Sequence, residues 1–219
     1  MPRALFEKTG NAIFISHLDL MRLFQRAFKR AGLHLTHTQG FNPRPSVSMA
    51  LPLSLVIESK CELMDFELEG QIPDNEEILT RLNQSLISGV RVLSIYDNVS
   101  KIKNLAFLDC TLTLEYDGGV PENGKQRINE LFQSKQLLLE KKGKNGISEQ
   151  DIIPLIKRIQ VEVLNENEIA LHALICCQNP ALNPMQLGAA IVKYLPDLTP
   201  NHARCCREEV YDANETVFR

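Results

Sequence analysis

The stretch Ser16–Pro45 reads SHLDLMRLFQRAFKRAGLHLTHTQGFNPRP and contains the clearest structural pattern in the chain. Ser16 precedes a helical pattern, and its hydroxyl is placed to accept a hydrogen bond from the backbone N–H of Asp19, so the spacing predicts a helix that begins at His17. Gly32 supplies the left-handed residue on which such helices end. One side of this helix is apolar, because its hydrophobic residues recur three or four positions apart: Leu20, Leu23, Phe24, Ala27, Phe28 and Ala31.

The opposite face of the helix carries four cations, which we call the basic ridge: Arg22, Arg26, Lys29 and Arg30. Basic side chains on a helix are most often only its solvated face. Residues 1–45 nevertheless hold seven of the 24 Lys and Arg, including Arg3 and Lys8, but only two of the 27 Asp and Glu. This is a local charge of +5 in a chain of net charge −3. If these cations are exposed, they direct an anionic partner to this end of an otherwise acidic protein.

The residues after this helix predict a strand that runs into a stiff loop. Leu33, Leu35 and His37 alternate with other residues, which is typical of a strand with one covered face. The GFNPRP loop, residues 40–45, follows, and its two prolines fix the backbone and remove hydrogen-bond donors. An aromatic ring, an amide and a guanidinium together offer the stacking, hydrogen bonding and anion contact that recognition of single-stranded nucleic acid requires. Phe41 can instead fill the core beneath a turn, as most phenylalanines do.

The predicted nucleic-acid or anion-binding residues belong to the helix start, the basic ridge and the GFNPRP loop: Ser16, His17, Arg22, Arg26, Lys29, Arg30, Gly40, Phe41, Asn42 and Arg44. No residue is predicted to be catalytic. His17 and His37 are candidates for a general acid and base, because imidazole titrates near neutral pH. That role requires the two rings to lie close together, which the sequence does not establish.

The element order predicts an α+β fold of two tandem ferredoxin-like (split βαβ) units with antiparallel sheets. Strand, helix, strand pair, helix and strand follow one another in residues 1–98. The same order returns in residues 105–219, with an insertion near 143–165, and the polar stretch Asp97–Asn104 joins the two units. No residue-level repeat accompanies this order, so the duplication depends on the element order alone.

The composition is that of an ordinary globular protein, with 44% hydrophobic and 23% charged residues among 219. No apolar run approaches the ~20 residues needed to cross a bilayer, and the N-terminus lacks a signal-peptide core, so we expect a cytoplasmic protein. Its six cysteines are then expected to be thiols. Cys176-Cys177 and Cys205-Cys206 lie in predicted strands, where neighbours point to opposite faces, and no metal site is predicted. Glycine-rich phosphate loops and a CxxxCxxC motif are absent, and no cofactor is predicted.

Two quoted segments carry a resemblance to a known family. SHLDLMRLFQRAFKRAGL, residues 16–33, and GFNPRPSVSMALPLSL, residues 40–55, resemble the uncharacterised bacterial radical SAM-linked protein family. Its members are encoded beside, or fused to, a radical SAM enzyme. The segment DIIPLI, residues 151–156, is similar to a second segment of that family. The resemblance implies a radical SAM enzyme as partner and supplies no catalytic residues.

Three functions are consistent with these observations. The first is a non-catalytic accessory module that binds RNA or another anionic substrate for a radical SAM partner, although the basic ridge can instead bind an acidic patch of that partner. The second is a metal-independent endoribonuclease that uses His17, His37 or both. The helix-then-loop order resembles the CRISPR repeat-processing endoribonucleases, but their glycine-rich loop has no counterpart in PDLTPNH, residues 196–202. The third is a purely structural subunit that docks the radical SAM enzyme.

Overall fold

The computed structural model describes residues 1–97, 100–143 and 146–219, so part of the predicted join at 97–104 lies outside the described residues. Within these ranges the fold is mixed α+β, with four α-helices and mainly antiparallel sheets. The chain divides into two compact units, which we call the first unit, Met1–Ile102, and the second unit, Lys103–Phe218. No described helix is both long and apolar enough to cross a membrane.

The first unit, as far as it is described, contains four strands and two helices: β1 (Pro2–Lys8), α1 (His17–Arg30), β2 (Val47–Met49), β3 (Ile57–Phe66), α2 (Asn75–Ser85) and β4 (Val90–Asp97). The strands lie in the order β4-β1-β3-β2, and every neighbouring pair is antiparallel. A short 3-10 helix, Gly10–Phe14, connects β1 to α1. Only this short 3-10 helix separates α1 from the first strand of the first unit.

Helix α1 forms where the sequence predicts it and packs by its predicted apolar side. The residues of that side that are fully or almost fully buried are Leu20, Phe24, Ala27 and Phe28. The ring of Phe24 meets that of Phe6 on β1 edge to face, with 4.8 Å between the ring centroids. Burying one such side chain contributes roughly 1.5–3 kcal/mol, so this side of α1 is firmly fixed to the sheet. The basic ridge, on the other side, faces solvent.

Two cations counted in the local charge of residues 1–45 lie in the interior. Arg3 is fully buried, and its guanidinium donates to both carboxylate oxygens of Asp65, at 2.6 and 3.0 Å. Lys8 is also fully buried, and its Nζ donates to the backbone oxygens of Ile13 and Ile15, at 3.2 and 2.8 Å. The local charge of +5 therefore overstates the charge at the surface by two, because each of these cations has acceptors inside the fold.

The strand predicted over Leu33–His37 is not formed. In its place Leu35 and His37 make isolated bridges. The chain folds back after this segment, since the backbone N–H of Thr38 donates to the backbone oxygen of Arg44 at 2.8 Å. Alternation in a sequence indicates which side is covered, but it does not identify the pairing partner. Here the segment pairs partly with its own continuation, which interrupts any longer strand.

The second unit, within its described residues, contains six strands and two helices: β5 (Leu105–Glu115), α3 (Gly124–Phe132), β6 (Leu138–Gly143), β7 (Gly146–Asp151), β8 (Ile156–Asn165), β9 (Glu168–Cys176), α4 (Met185–Tyr194) and β10 (His202–Asp212). Four strands lie in the order β10-β5-β9-β8 and are antiparallel, while β6 and β7 form a separate hairpin. Where the insertion near 143–165 is predicted, β6 ends at Gly143, β7 begins at Gly146 and β8 follows. Residues 144 and 145 lie outside the described ranges.

Candidate nucleic-acid interface

Ser16 and Asp19 fix the start of α1. The Ser16 Oγ accepts a hydrogen bond from the backbone N–H of Asp19 at 3.2 Å and donates one to its carboxylate at 2.7 Å. Arg22 donates to the second carboxylate oxygen at 2.9 Å. The hydrogen bonds from the Ser16 hydroxyl and the Arg22 guanidinium lower the pKa of Asp19 below its usual value of 3.8. The predicted helix cap is confirmed, and Ser16 and Arg22 are already engaged within the protein.

The four side chains of the basic ridge are all exposed, but they differ in what they contact. Arg22 is held at the helix start, and Arg30 donates to the backbone oxygen of Ser85, the last residue of α2, at 2.5 Å. In the part of the chain that the structure describes, Arg26 and Lys29 make no hydrogen bond or ion pair. These two cations are therefore the ones that can bind an anion without breaking an existing contact.

The GFNPRP loop is closed at its base by two hydrogen bonds. The backbone N–H of Thr38 donates to the backbone oxygen of Arg44 at 2.8 Å, and the N–H of Arg44 donates to the Thr38 Oγ1 at 3.0 Å. Gly40 has a φ of +135°, which residues with a side chain rarely adopt. Pro43 fixes its own φ through its ring. The loop is therefore a defined projection and not an open connection.

Phe41 lies in this loop with its whole ring in solvent. Its exposed fraction is 108% of the reference value, and Asn42 and Arg44 beside it are exposed as well. The alternative that Phe41 fills the core beneath a turn is wrong. A phenyl ring that buries no area contributes little to folding, and both of its faces are available for stacking.

A groove of about 330 Å³ lies between α1 and the residues at the base of the GFNPRP loop, and we call it the α1 groove. Its floor is apolar: Phe28, Leu33, Leu35 and Pro45. Its rim is polar: Gln25, Lys29, His34, His37 and Glu69. Lys29 belongs to both the basic ridge and the α1 groove, so the two surfaces are continuous. Sequence patterns did not point to Gln25, His34 or Glu69, because only the pairing of the backbone at residues 34 and 69 brings them together.

The two candidate catalytic histidines are not brought together. His17 is the first residue of α1, and its Nδ1 is buried and has no hydrogen-bond partner within the described residues. His37 lies in the α1 groove with Gln25 and Lys29. Those two residues follow His17 by 8 and 12 positions, so their Cα atoms lie about 12–18 Å from that of His17 along the helix axis. A general acid and a general base must both reach the same phosphodiester, and this spacing along α1 does not favour that arrangement.

Three thiols of the adjacent cysteine pairs have raised pKa values. The residues that the structure describes include no group of three or more His, Cys, Asp or Glu side chains placed to hold a metal ion. Burial raises the pKa of Cys177 and of Cys205 to about 12, and it also raises the pKa of Cys176. Thiols that stay protonated at neutral pH are poor nucleophiles and poor metal ligands.

Comparison of the sequence with known protein families gives one match. Residues 2–184 match the family model described as "Uncharacterized protein conserved in bacteria (DUF2344)". The chain belongs to this family. The matched residues of the DUF2344 protein include the basic ridge, the GFNPRP loop and the α1 groove. No curated protein matches its sequence.

Solved structures similar to the DUF2344 protein bear on its fold alone. A chain of "Crystal Structure of a Cbf5-Nop10-Gar1 Complex" matches with a TM-score of 0.51 and 8% identity, over 95% of the DUF2344 protein and 48% of that chain. The DUF2344 protein thus spans about half the length of the chain it matches, and the likeness supports a mixed α+β fold. "Crystal Structure of an Unknown Protein from Galdieria sulphuraria" matches over 97% of both chains with 9% identity, but its TM-score of 0.26 carries no argument.

Proposed function

We propose that this DUF2344 protein is a non-catalytic accessory module of the cytoplasm that binds single-stranded RNA through the basic ridge and the GFNPRP loop and presents it to a radical SAM enzyme. The observation that carries the RNA half of the proposal is Phe41, whose ring is wholly exposed on a loop closed by hydrogen bonds. The partner half follows from the resemblance of residues 16–33 and 40–55 to the radical SAM-linked proteins.

Proteins bind single-stranded nucleic acid by combining an aromatic platform, on which a base stacks, with nearby cations that contact phosphates. Phe41 supplies the platform, and Arg44 lies three residues after it with its side chain exposed. Arg26 and Lys29 lie about one helical turn apart and add two cations that make no hydrogen bond or ion pair among the described residues. The bases of a duplex are already stacked on one another, and separating them costs free energy, so an unpaired strand fits this surface better.

We also infer that both units are ferredoxin-like. Within each unit the chain runs strand, helix, strand, strand, helix, strand once the β6–β7 hairpin is left out. The strand orders, β4-β1-β3-β2 and β10-β5-β9-β8, are the same when the strands are numbered within their own unit. This shared order supports the tandem split-βαβ arrangement predicted from the sequence.

A second function, docking of a partner protein, is favoured by an exposed apolar patch in the first unit. Phe14 and Leu18 are each 67% exposed and lie four residues apart. The backbone N–H of Val56 donates to the backbone oxygen of Ile13 at 3.0 Å, which brings the exposed Leu55 and Val56 close to Phe14. Val56 has a φ of 64°, a strained conformation for a β-branched residue, and such strain is concentrated at functional sites. We assign this patch to the radical SAM partner, so the basic ridge stays available to bind the RNA.

Binding of labelled single-stranded and duplex RNA across a salt series tests the RNA half. We expect single strands to bind more tightly than duplexes, with an affinity that falls as salt rises. Absence of binding at the lowest salt would overturn this half.

Co-expression with the neighbouring radical SAM enzyme tests the partner half. We expect the enzyme to co-purify with the wild-type protein and to be lost with Leu18→Asp, which places a charge in the apolar patch. Failure to co-purify with the wild-type protein would overturn the partner half without affecting the RNA half.

A further inference from the structure

The rim of the α1 groove has hydrogen-bonding capacity that the described residues do not use. The side chains of Gln25, Lys29, His34, His37 and Glu69 surround one cavity, and none of them makes a hydrogen bond or ion pair to another described residue. Beneath them lie apolar side chains, of which Pro45 is partly exposed and can be covered by a flat ring. A cavity with an apolar floor and several unpaired polar groups at its rim is the usual form of a small-ligand site.

We propose that the α1 groove holds one unpaired base of the bound RNA strand, and that Glu69 selects bases that carry an exocyclic amino group. The proposal deepens the proposed function, because it depends on RNA binding at the adjoining basic ridge. A base in the groove leaves its phosphate beside Lys29, which belongs to both surfaces.

The selectivity follows from the chemistry of a carboxylate. An ionised Glu69 only accepts hydrogen bonds, so it pairs with the amino group of cytosine, adenine or guanine. Uracil presents a carbonyl oxygen at the position where cytosine presents its amino group, and its one ring donor on that edge, N3–H, lies between two carbonyl oxygens that repel a carboxylate. Gln25 supplies both a donor and an acceptor, which suits the remaining edge of any base.

The backbone holds Glu69 in place opposite the rim histidines. Its N–H donates to the backbone oxygen of His34 at 2.9 Å, and the residue before it, Leu68, forms a bridge with Leu35 on the groove floor. Glu69 is nevertheless exposed, so its side chain can be changed without disturbing the buried core.

Oligocytidylate and oligouridylate of equal length test the proposal, because their bases are rings of the same size that differ in the amino or carbonyl group. We expect the full-length wild-type protein to bind oligocytidylate roughly tenfold more tightly in fluorescence anisotropy, since a hydrogen bond to a charged group has about that effect. Glu69→Ala should bring the two affinities together. Glu69→Gln should raise the affinity for oligouridylate, because the amide can donate to the carbonyl. Glu122→Ala, which removes an exposed carboxylate from the second unit, should keep the wild-type ratio.

The possible results distinguish failure of the base site from failure of RNA binding. Equal affinities in the wild-type protein, or a ratio that Glu69→Ala leaves unchanged, overturn the base site while the proposed RNA binding stands. Binding of neither oligonucleotide overturns the proposed function and the base site with it. Thermal melting of each variant establishes that the proteins compared are folded.

Discussion

Replacing Phe41 with alanine should separate RNA binding from folding. Because the ring of Phe41 buries no area, Phe41→Ala should change the free energy of unfolding by less than about 0.5 kcal/mol, as surface substitutions generally do. Phe28, which has none of its surface exposed, gives the contrast: Phe28→Ala should cost ~3–5 kcal/mol because it leaves a cavity in the core. Urea denaturation measures both values.

The affinity for RNA should fall strongly in Phe41→Ala, although the free energy of unfolding hardly changes. Stacking of one base on an aromatic side chain contributes ~1–3 kcal/mol, so Phe41→Ala should weaken binding of single-stranded RNA by roughly 5- to 150-fold. The slope of log K against log salt should stay the same, because no phosphate contact is lost. Fluorescence anisotropy with a labelled oligonucleotide measures both quantities, and Phe14→Ala, which removes another exposed phenyl ring, is the matched control.

Two results would refute this reasoning. An affinity of Phe41→Ala equal to that of the wild-type protein would mean that Phe41 is not a stacking platform. Equal losses of RNA affinity in Phe41→Ala and Phe14→Ala would mean that any exposed phenyl ring can support binding. The GFNPRP loop would then have no special role.

Three further predictions concern charge, the buried ion pair and a buried tyrosine. Arg26→Ala/Lys29→Ala should flatten the slope of log K against log salt by roughly 1.4 units, at about 0.7 for each phosphate contact. Asp65→Ala should lower the free energy of unfolding in urea by ~3–5 kcal/mol, because Arg3 then stays buried without its carboxylate. Burial raises the pKa of Tyr116 to about 12 from 10.0, so an absorbance titration should show a phenol ionising near pH 12. The stability linked to this shift is complete below pH 10 and is lost as the pH rises through 12.

These predictions have controls that the chain itself supplies. Lys125 and Lys135 are exposed on the second unit, and Lys125→Ala/Lys135→Ala removes the same charge while leaving the basic ridge intact. An equal change of slope in both double variants would mean that net charge, and not the ridge, governs binding. If Asp65→Ala is as stable as the wild-type protein, the ion pair between Arg3 and Asp65 is not needed for folding. If all tyrosines ionise near pH 10, the burial of Tyr116 is contradicted.

Local patterns predicted α1 well. The cap at Ser16 and the apolar side of α1 are both present. Helix α2 begins by the same kind of local contact, because Asp74 accepts a hydrogen bond from the backbone N–H of Glu77. Such features depend on residues within a few positions of one another, which is why the sequence alone is sufficient to recognise them.

Contacts between distant residues were not predictable in this way. Arg3 looks like a surface cation until β3 brings Asp65, 62 positions away, against it. The α1 groove depends on the backbone hydrogen bond between Glu69 and His34, which no local sequence pattern predicts. Phe41 could not be placed for a different reason. A phenylalanine between turn residues can either be buried in the core or project into solvent. Only the fold distinguishes these two arrangements.

The second proline of the GFNPRP loop has a consequence for proteolysis. Exposed loops are ordinary sites of nicking, because their backbone can enter a protease. Arg44 is the single basic residue of this loop, and Pro45 follows it directly. Trypsin does not cleave before proline, whose ring replaces the backbone N–H and fixes φ. This exposed segment therefore resists trypsin through its own sequence, whereas chymotrypsin meets no such block after Phe41.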